Sequence, residues 1–239
     1  MEKNSWLWLA AFALLSAIEL TAEVLDHATL IYLTKPLLMP VLAIWLIRRT
    51  PGIRRFLRHT LVAGLLFSML GDIWMMFSRG SYGPFFFLAG LGSFLITHLC
   101  YTGGWLSEVG WKNGFLRRQP YWIAPFALFL LVFLGWLWPG IPSGMYTPVT
   151  AYAVVISAMS LSIVNVRGSV GSDVFENMLA GALLFMLSDC LIAVQKFSQP
   201  FPGARIIIML TYLLGQWLLM RGAALHLRRF PEKKVLTTE

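Results

Sequence analysis

Eight apolar runs, each about as long as a bilayer's hydrocarbon core is thick, decide what this chain can become. A helix needs about 20 apolar residues to cross that core. The runs are Ser5 to Leu25, Ala28 to Ile47, Thr60 to Phe77, Pro84 to Leu106, Tyr121 to Trp138, Met145 to Val164, Asn177 to Val194 and Arg205 to Leu225. Glycine, proline and charge mark the joints: Arg-Thr-Pro-Gly at 49–52, Ser-Tyr-Gly-Pro at 81–84, Pro-Gly-Ile-Pro at 139–142 and Gln-Pro-Phe-Pro-Gly at 199–203. In lipid every backbone N–H and C=O must find its partner inside the segment, so each run is a helix. The expected fold class is therefore all-α: a polytopic transmembrane helical bundle of about eight spans forming a single transmembrane domain.

Composition excludes the soluble alternatives. The chain is 58% hydrophobic and 13% charged, where a soluble domain carries roughly 25% charged residues. A formal charge of +8 would suit nucleic acid, but the basic residues sit in the joints between apolar runs, where they orient a membrane protein; no nucleic-acid partner is expected. Cys100 and Cys190 fall inside apolar runs and form neither a disulfide framework nor a C-x-x-C metal site. The first run is long, lacks a small-residue cleavage site and contains Glu19 and Glu23, so it reads as a retained span rather than a signal peptide.

Lysine and arginine set the orientation. With the N-terminus inside, the inner segments hold Lys3; Arg48, Arg49, Arg54, Arg55 and Arg58; Lys112, Arg117 and Arg118; Arg167; and Arg228, Arg229, Lys233 and Lys234. The outer segments hold Arg79, Lys196 and Arg205, with Lys35 near a helix end. This bias places both termini, and a short tail at 229–239, in the cytoplasm. A compact chain of this kind suits a bacterial inner membrane, and an endomembrane protein would look the same.

An internal echo adds a second constraint. Residues 63–72 read AGLLFSMLGD and residues 180–189 read AGALLFMLSD, with six of ten positions identical and both segments ending in an Asp. The following spans carry Thr97-His98-Leu99 and Thr211-Tyr212-Leu213. Four spans separate the copies, so they run in the same direction, as in a parallel 4+4 duplication with halves 1–118 and 119–228.

The paired aspartates carry the functional argument, because a charge in the bilayer core costs at least ~2.5–3.5 kcal/mol and usually faces protein or a wet cavity. Asp72 and Asp189 fall at similar depth in the outer half. Lys35 and Glu19 lie nearer the outer interface and His98 nearer the middle. Tyr101 follows His98 by one turn on the same face, and Tyr212 and Gln216 share a face of the last span. Together these side chains form a polar cluster opening outward. Each has a bland alternative: Lys35 and Glu19 can snorkel to the interface, while His98, Tyr101, Tyr212 and Gln216 can be interhelical hydrogen-bond formers. An unpaired Asp in lipid has no such explanation. Trp6, Trp8, Trp136 and Trp138 read as aromatic belt, and Gly64, Gly71 and Gly181 as points of close helix approach. Asp72 and His98 could in principle ligate zinc with Asp189, but a metal site needs three or four convergent ligands and nothing like H-E-x-x-H is present; neither a metal nor an organic cofactor is expected. On the residues alone, an enzyme and a proton-coupled transporter or lipid translocator both remain open, with a non-catalytic scaffold or receptor ranked last because it leaves the carboxylates unexplained.

The ordered set of short motifs goes further. Lys35-Pro36-Leu37 opens the second span, and Leu70-Gly71-Asp72 lies in the third. Gly90-Leu91-Gly92-Ser93-Phe94 with His98-Leu99-Cys100-Tyr101 forms the fourth. Gly181-Ala182-Leu183-Leu184-Phe185 with Leu187-Ser188-Asp189 forms the seventh, and Thr211-Tyr212 and Gln216 lie in the eighth. In this order and spacing, from about residue 30 to residue 223, the chain resembles the YhhN-like family, the lysoplasmalogenases. It departs from the family's Tyr-Tyr before the final Gln, reading Thr211-Tyr212-Leu213.

The resemblance implies a membrane hydrolase whose substrate is a lysoplasmalogen, split at its vinyl ether into a fatty aldehyde and glycerophosphoethanolamine or glycerophosphocholine. That chemistry needs no Ser-His-Asp triad. It needs a protonated carboxyl to deliver a proton to carbon, an anion beside the resulting oxocarbenium ion, and a base for water. Asp72 and Asp189 are expected to be the carboxyl pair, with His98 and Tyr101 handling the water. Ser188, Tyr212 and Gln216 are expected to support them by hydrogen bonds, and Lys35 to meet the lipid phosphate.

Overall fold

Residues 5–53, 55–78 and 82–231 are described by the structure, a computed structural model. Lys3, Arg54, Arg79, Lys233, Lys234 and nearly all of the expected tail at 229–239 lie outside the described residues. Among those described there is no strand, and eight helical segments are long and apolar enough to cross a membrane. The helices are α1 (Ser5–Val24), α2 (Ala28–Arg49), α3 (Phe56–Met76), α4 (Gly83–Val109), the single turn α5 (Phe115–Arg118), α6 (Ala124–Leu137), α7 (Tyr146–Asn165), α8 (Ser172–Phe197) and α9 (Ala204–Arg229). Short 3₁₀ turns at Pro120–Ile123 and Trp138–Gly140 lengthen α6 into a full span, Pro120–Gly140. The chain is a multi-pass integral membrane protein.

All eight expected spans are present, but several run further at one end. α2 continues through Arg48 and Arg49, α3 starts before Arg58, α8 starts at Ser172 and α9 continues to Arg229. The helical hydrogen-bond ladder does not stop where hydrocarbon stops. Charged residues extend it into the interface, where their side chains are solvated. All of these extensions lie at one end of the bundle, its arginine-rich end.

The connections are short, so neighbouring helices alternate in direction. Seven spans close into a ring in the order α1, α2, α3, α4, α7, α8, α9 and back to α1, with α9 also touching α2 and α3 across the ring. The tightest pairs are α3 with α4 and α8 with α9. Glycine makes both possible. A Cβ on Gly64 would lie 2.3 Å from Cε1 of Tyr101, and one on Gly181 would lie 2.7 Å from the Leu219 nitrogen and 2.8 Å from the Gly215 oxygen. α6 stands outside the ring, resting on α7 and more lightly on α8.

The core follows the ring. Leu38, Leu42, Leu57, Leu61, Leu65, Trp105, Met159, Met178, Phe185 and Met220 are fully or almost fully buried in one cluster. The arginine-rich end is closed by polar contacts: Glu108 of α4 accepts from Arg55 and lies 2.9 Å from Nε2 of His226. Asn165 receives the Leu116 N–H at 3.2 Å and donates to the Gly110 carbonyl at 3.2 Å, tying the α4–α5 loop to α7. Trp6, Trp136 and Trp138 are exposed, as a belt requires, whereas Trp8 packs on the core.

Candidate active site

Beyond the fold, the far ends of α1, α3 and α8 and the starts of α2 and α9 surround a cavity of about 410 Å³. Asp72, Asp189, Lys35, Ser188 and Tyr212 line it, together with Glu23, Asp26 and Arg205. The two aspartates, which the sequence places in different halves of the chain, thus face one space.

Each aspartate is held from across the ring. Asp72 of α3 accepts a hydrogen bond from the Tyr212 hydroxyl of α9 at 2.9 Å. Its approach depends on Gly71, where a Cβ would meet the Phe94 ring at 2.7–2.8 Å. Asp189 of α8 accepts from the Tyr152 hydroxyl of α7 at 2.6 Å, and its same oxygen, Oδ2, lies 3.1 Å from Nε2 of His98 on α4. The Tyr152 hydroxyl is also 3.0 Å from that nitrogen. The tyrosine proton goes to the carboxylate, so the arrangement is satisfied when Nε2 of His98 carries its own proton and donates. The ring packs on Phe185 at a centroid separation of 4.7 Å, and Phe185, Phe94 and Tyr212 meet edge to face beneath the cavity.

Lys35 is not a lone cation. Its Nζ lies 2.9 Å from Glu23 Oε1 and 3.4 Å from Glu19 Oε1. Glu19 also accepts from Thr34. Arg205 binds Glu23 at 2.5 Å and pairs with Asp26. The mouth is therefore a chain of alternating charges joining α1, α2 and α9. Glu19 belongs to this chain and is fully buried, so it does not snorkel.

Tyr101 and Gln216 stand elsewhere. The Tyr101 hydroxyl donates to Gln216 Oε1 at 2.8 Å, Gln216 Nε2 donates to Ser68 Oγ at 3.0 Å, and Ser68 lies 3.1 Å from the Thr97 hydroxyl, which reaches the Gly64 carbonyl at 3.0 Å. This network is buried in the core. It separates Tyr101 from His98, against the expectation that the two work together. Residues i and i+3 of a helix differ by ~60° in direction. Here that suffices to send His98 to Asp189 and Tyr101 to α9. Ser188 donates to the Ile208 carbonyl at 3.0 Å and fastens α8 to α9 beside the cavity.

Two contributors were not anticipated. Tyr152 lies in a span whose pattern gave no reason to single it out. Arg205 reads as an outer-loop charge, although the spacing of Glu19 and Glu23, one turn apart on α1, foretells a cationic partner. Among the described residues no three His, Cys, Asp or Glu side chains come close enough together to hold a metal ion.

Known proteins share this sequence pattern. Lysoplasmalogenase TMEM86A of Bos taurus is 28% identical over 193 residues, covering 77% of this chain and 75% of its own length. Lysoplasmalogenase TMEM86B of Homo sapiens is 30% identical over 189 residues, covering 77% and 72%. A lysoplasmalogenase of Mycobacterium tuberculosis is 28% identical over 167 residues, covering 69% and 60%. No solved structure matches the chain. The YhhN family matches residues 30–223, from the second span through most of the last, and the chain belongs to that family.

Proposed function

We propose that this chain hydrolyses the vinyl ether bond of lysoplasmalogens, releasing a fatty aldehyde and glycerophosphoethanolamine or glycerophosphocholine. The observation that carries the reading is the facing of Asp72 and Asp189 into one cavity, in a chain whose relatives bear the name lysoplasmalogenase.

The reaction adds one water across the ether. A carboxylic acid gives its proton to the β-carbon of the double bond, leaving an oxocarbenium ion. Water adds to the carbon beside the ether oxygen and loses a proton to a base. The hemiacetal then collapses, its hydroxyl proton returning to the first carboxylate while the departing alkoxide takes the proton that the base gained from water, so both groups end as they began. One aspartate acts as acid and the other stays anionic beside the cation. Such acid–base help is typically worth ~10²–10⁴-fold. His98 and Tyr152 hold the Asp189 carboxylate by hydrogen bonds, and Asp189, which lines the cavity, takes the water proton. Tyr212 fixes Asp72, and Gln216 and Tyr101 hold α9 against α4. Lys35 and Arg205 offer cations to the lipid phosphate, while Glu23 and Asp26 face its ammonium group.

The orientation that fits the lysine and arginine bias has both termini in the cytoplasm of a bacterial inner membrane, with the cavity opening on the other side. The halves 1–118 and 119–228 read as parallel copies. This is supported by the crossed holding of each aspartate by the fourth-position span of the opposite half, Asp72 by Tyr212 and Asp189 by His98.

The test is mass spectrometry of purified protein incubated with a lysoplasmalogen, its saturated ether analogue, and EDTA in a parallel tube. Aldehyde from the vinyl ether alone, unaffected by EDTA, is expected. Asp72→Asn and Asp189→Asn are each expected to insert normally and lose turnover by ~10²-fold or more. Wild-type turnover in both variants would remove the carboxylate pair from the mechanism. No aldehyde from folded protein would turn the question to lipid transport.

A further inference from the structure

A second opening reaches Asp189 from the side. It is an apolar seam bounded by α4, α6, α7 and α8, and it shares Asp189, Phe94, Met75 and Ile192 with the polar cavity. Away from that junction its walls are mainly apolar, from Leu130 and Phe133 of α6, Ala153 and Ile156 of α7, and Met186 of α8, with Ser157 of α7 at the deep end. Toward the cavity face its walls are Phe87, Leu137, Val149 and Phe197, which pack with Ile141 into a buried cluster. In the other direction the seam passes Asp189 and reaches Leu130, Ile156 and Met186, about halfway along their spans.

We propose that this seam seats the hydrocarbon chain of the substrate and that α6 is the side door through which the chain enters from the bilayer. The inference rests on the hydrolase reading. The bond to be cleaved joins a long apolar chain to a charged headgroup. A site for it needs a polar compartment and an apolar one that meet at the acid. They meet at Asp189. The seam holds about 50 Å³ of open space, against the ~30 Å³ share of one liquid water, so a chain enters only if α6 yields. α6 is the span able to do so: 6% of its span is buried, against 22% to 50% for the others. α1, by contrast, is locked against α9 by the Phe12–Trp217 contact, with ring centroids 6.3 Å apart.

The experiment has two independent readouts on full-length protein in lipid nanodiscs. First, kcat/KM is measured for lysoplasmalogens with a short and a long alkenyl chain. Ser157→Phe, which fills the deep end of the seam, is expected to lower the long-chain value relative to the short-chain value by at least ~10-fold, the scale on which apolar pockets discriminate chain size. Leu128→Phe, on the lipid-facing side of α6, is expected to leave the ratio unchanged. Second, a saturated ether lysophospholipid with a diazirine at its chain end, which is not cleaved, is photolysed with the wild type. Label is expected on Leu130, Ala153, Ile156 or Met186. An unchanged chain-length ratio in folded Ser157→Phe, or label on the polar-cavity residues Ile31 and Met209 instead, overturns the seam. The labelling readout stands even if Ser157→Phe fails to fold. Absence of hydrolysis by the wild type would strike the hydrolase reading, while the label would still report where the chain lies.

Discussion

At Asp189 one carboxylate oxygen collects two donors, the Tyr152 hydroxyl and the His98 ring. Removing one donor leaves the aromatic frame standing, because Tyr152 meets His98 edge to face with centroids 5.4 Å apart. Tyr152→Phe is accordingly expected to lower kcat by roughly 10- to 100-fold, the ~1.5–3 kcal/mol worth of a hydrogen bond to a charged group, with little change in KM. Equal loss in Tyr152→Phe and Asp189→Asn would instead make the tyrosine a proton carrier. Tyr101→Phe should behave differently. It leaves Gln216 Oε1 without its donor in the buried core, so about 1–3 kcal/mol of stability is expected to be lost, with near-normal turnover per folded molecule; thermal unfolding in detergent and activity measured together separate the two. The sequence identified Asp72, Asp189 and His98 as a cluster because a charge in lipid has so few places to go. It did not separate Tyr101 from His98, since partners on other helices decide which way two side chains on neighbouring faces turn.

The eight spans were legible because lipid imposes a minimum length on any apolar helix. Which span stands outside the ring was not. The α6 span has mean hydropathy 1.9, the same as the α2 and α8 spans that the ring encloses. Lipid tails and a packed helical interior are equally apolar, so hydrophobicity does not distinguish them. Small residues say more. Gly181 sits against the α9 backbone, while a Cβ on Gly135 of α6 would meet nothing within 4 Å. Gly181→Ala is expected to push α8 from α9 and cost about 1–3 kcal/mol. Gly135→Ala should be neutral or slightly stabilising through helix propensity. Comparable unfolding temperatures for the two variants would show that the α8–α9 approach contributes little.

The molecule is polarised from end to end. One end carries the arginine extensions and the Arg55–Glu108–His226 contacts, and the other carries the cavity with its Lys35–Glu23–Arg205 chain. Single cysteines at Ser169, in the α7–α8 connection, and Ser143, in the α6–α7 connection, are expected to react with an impermeant thiol reagent from opposite faces of sealed inverted and right-side-out vesicles. Reaction of both from one face would refute the eight-span topology. The crossed attachment of the two aspartates has its own consequence for how such a chain can vary over time. Asp72 is positioned by the last span, and Asp189 by the fourth together with Tyr152 of its own half, so each carboxylate depends on the opposite half of the chain. A substitution that shifts one half is also felt by the carboxylate of the other. Drift in the two halves must therefore stay matched, and combinations of halves from distant relatives should fail at the junction even when each half is intact in its native setting.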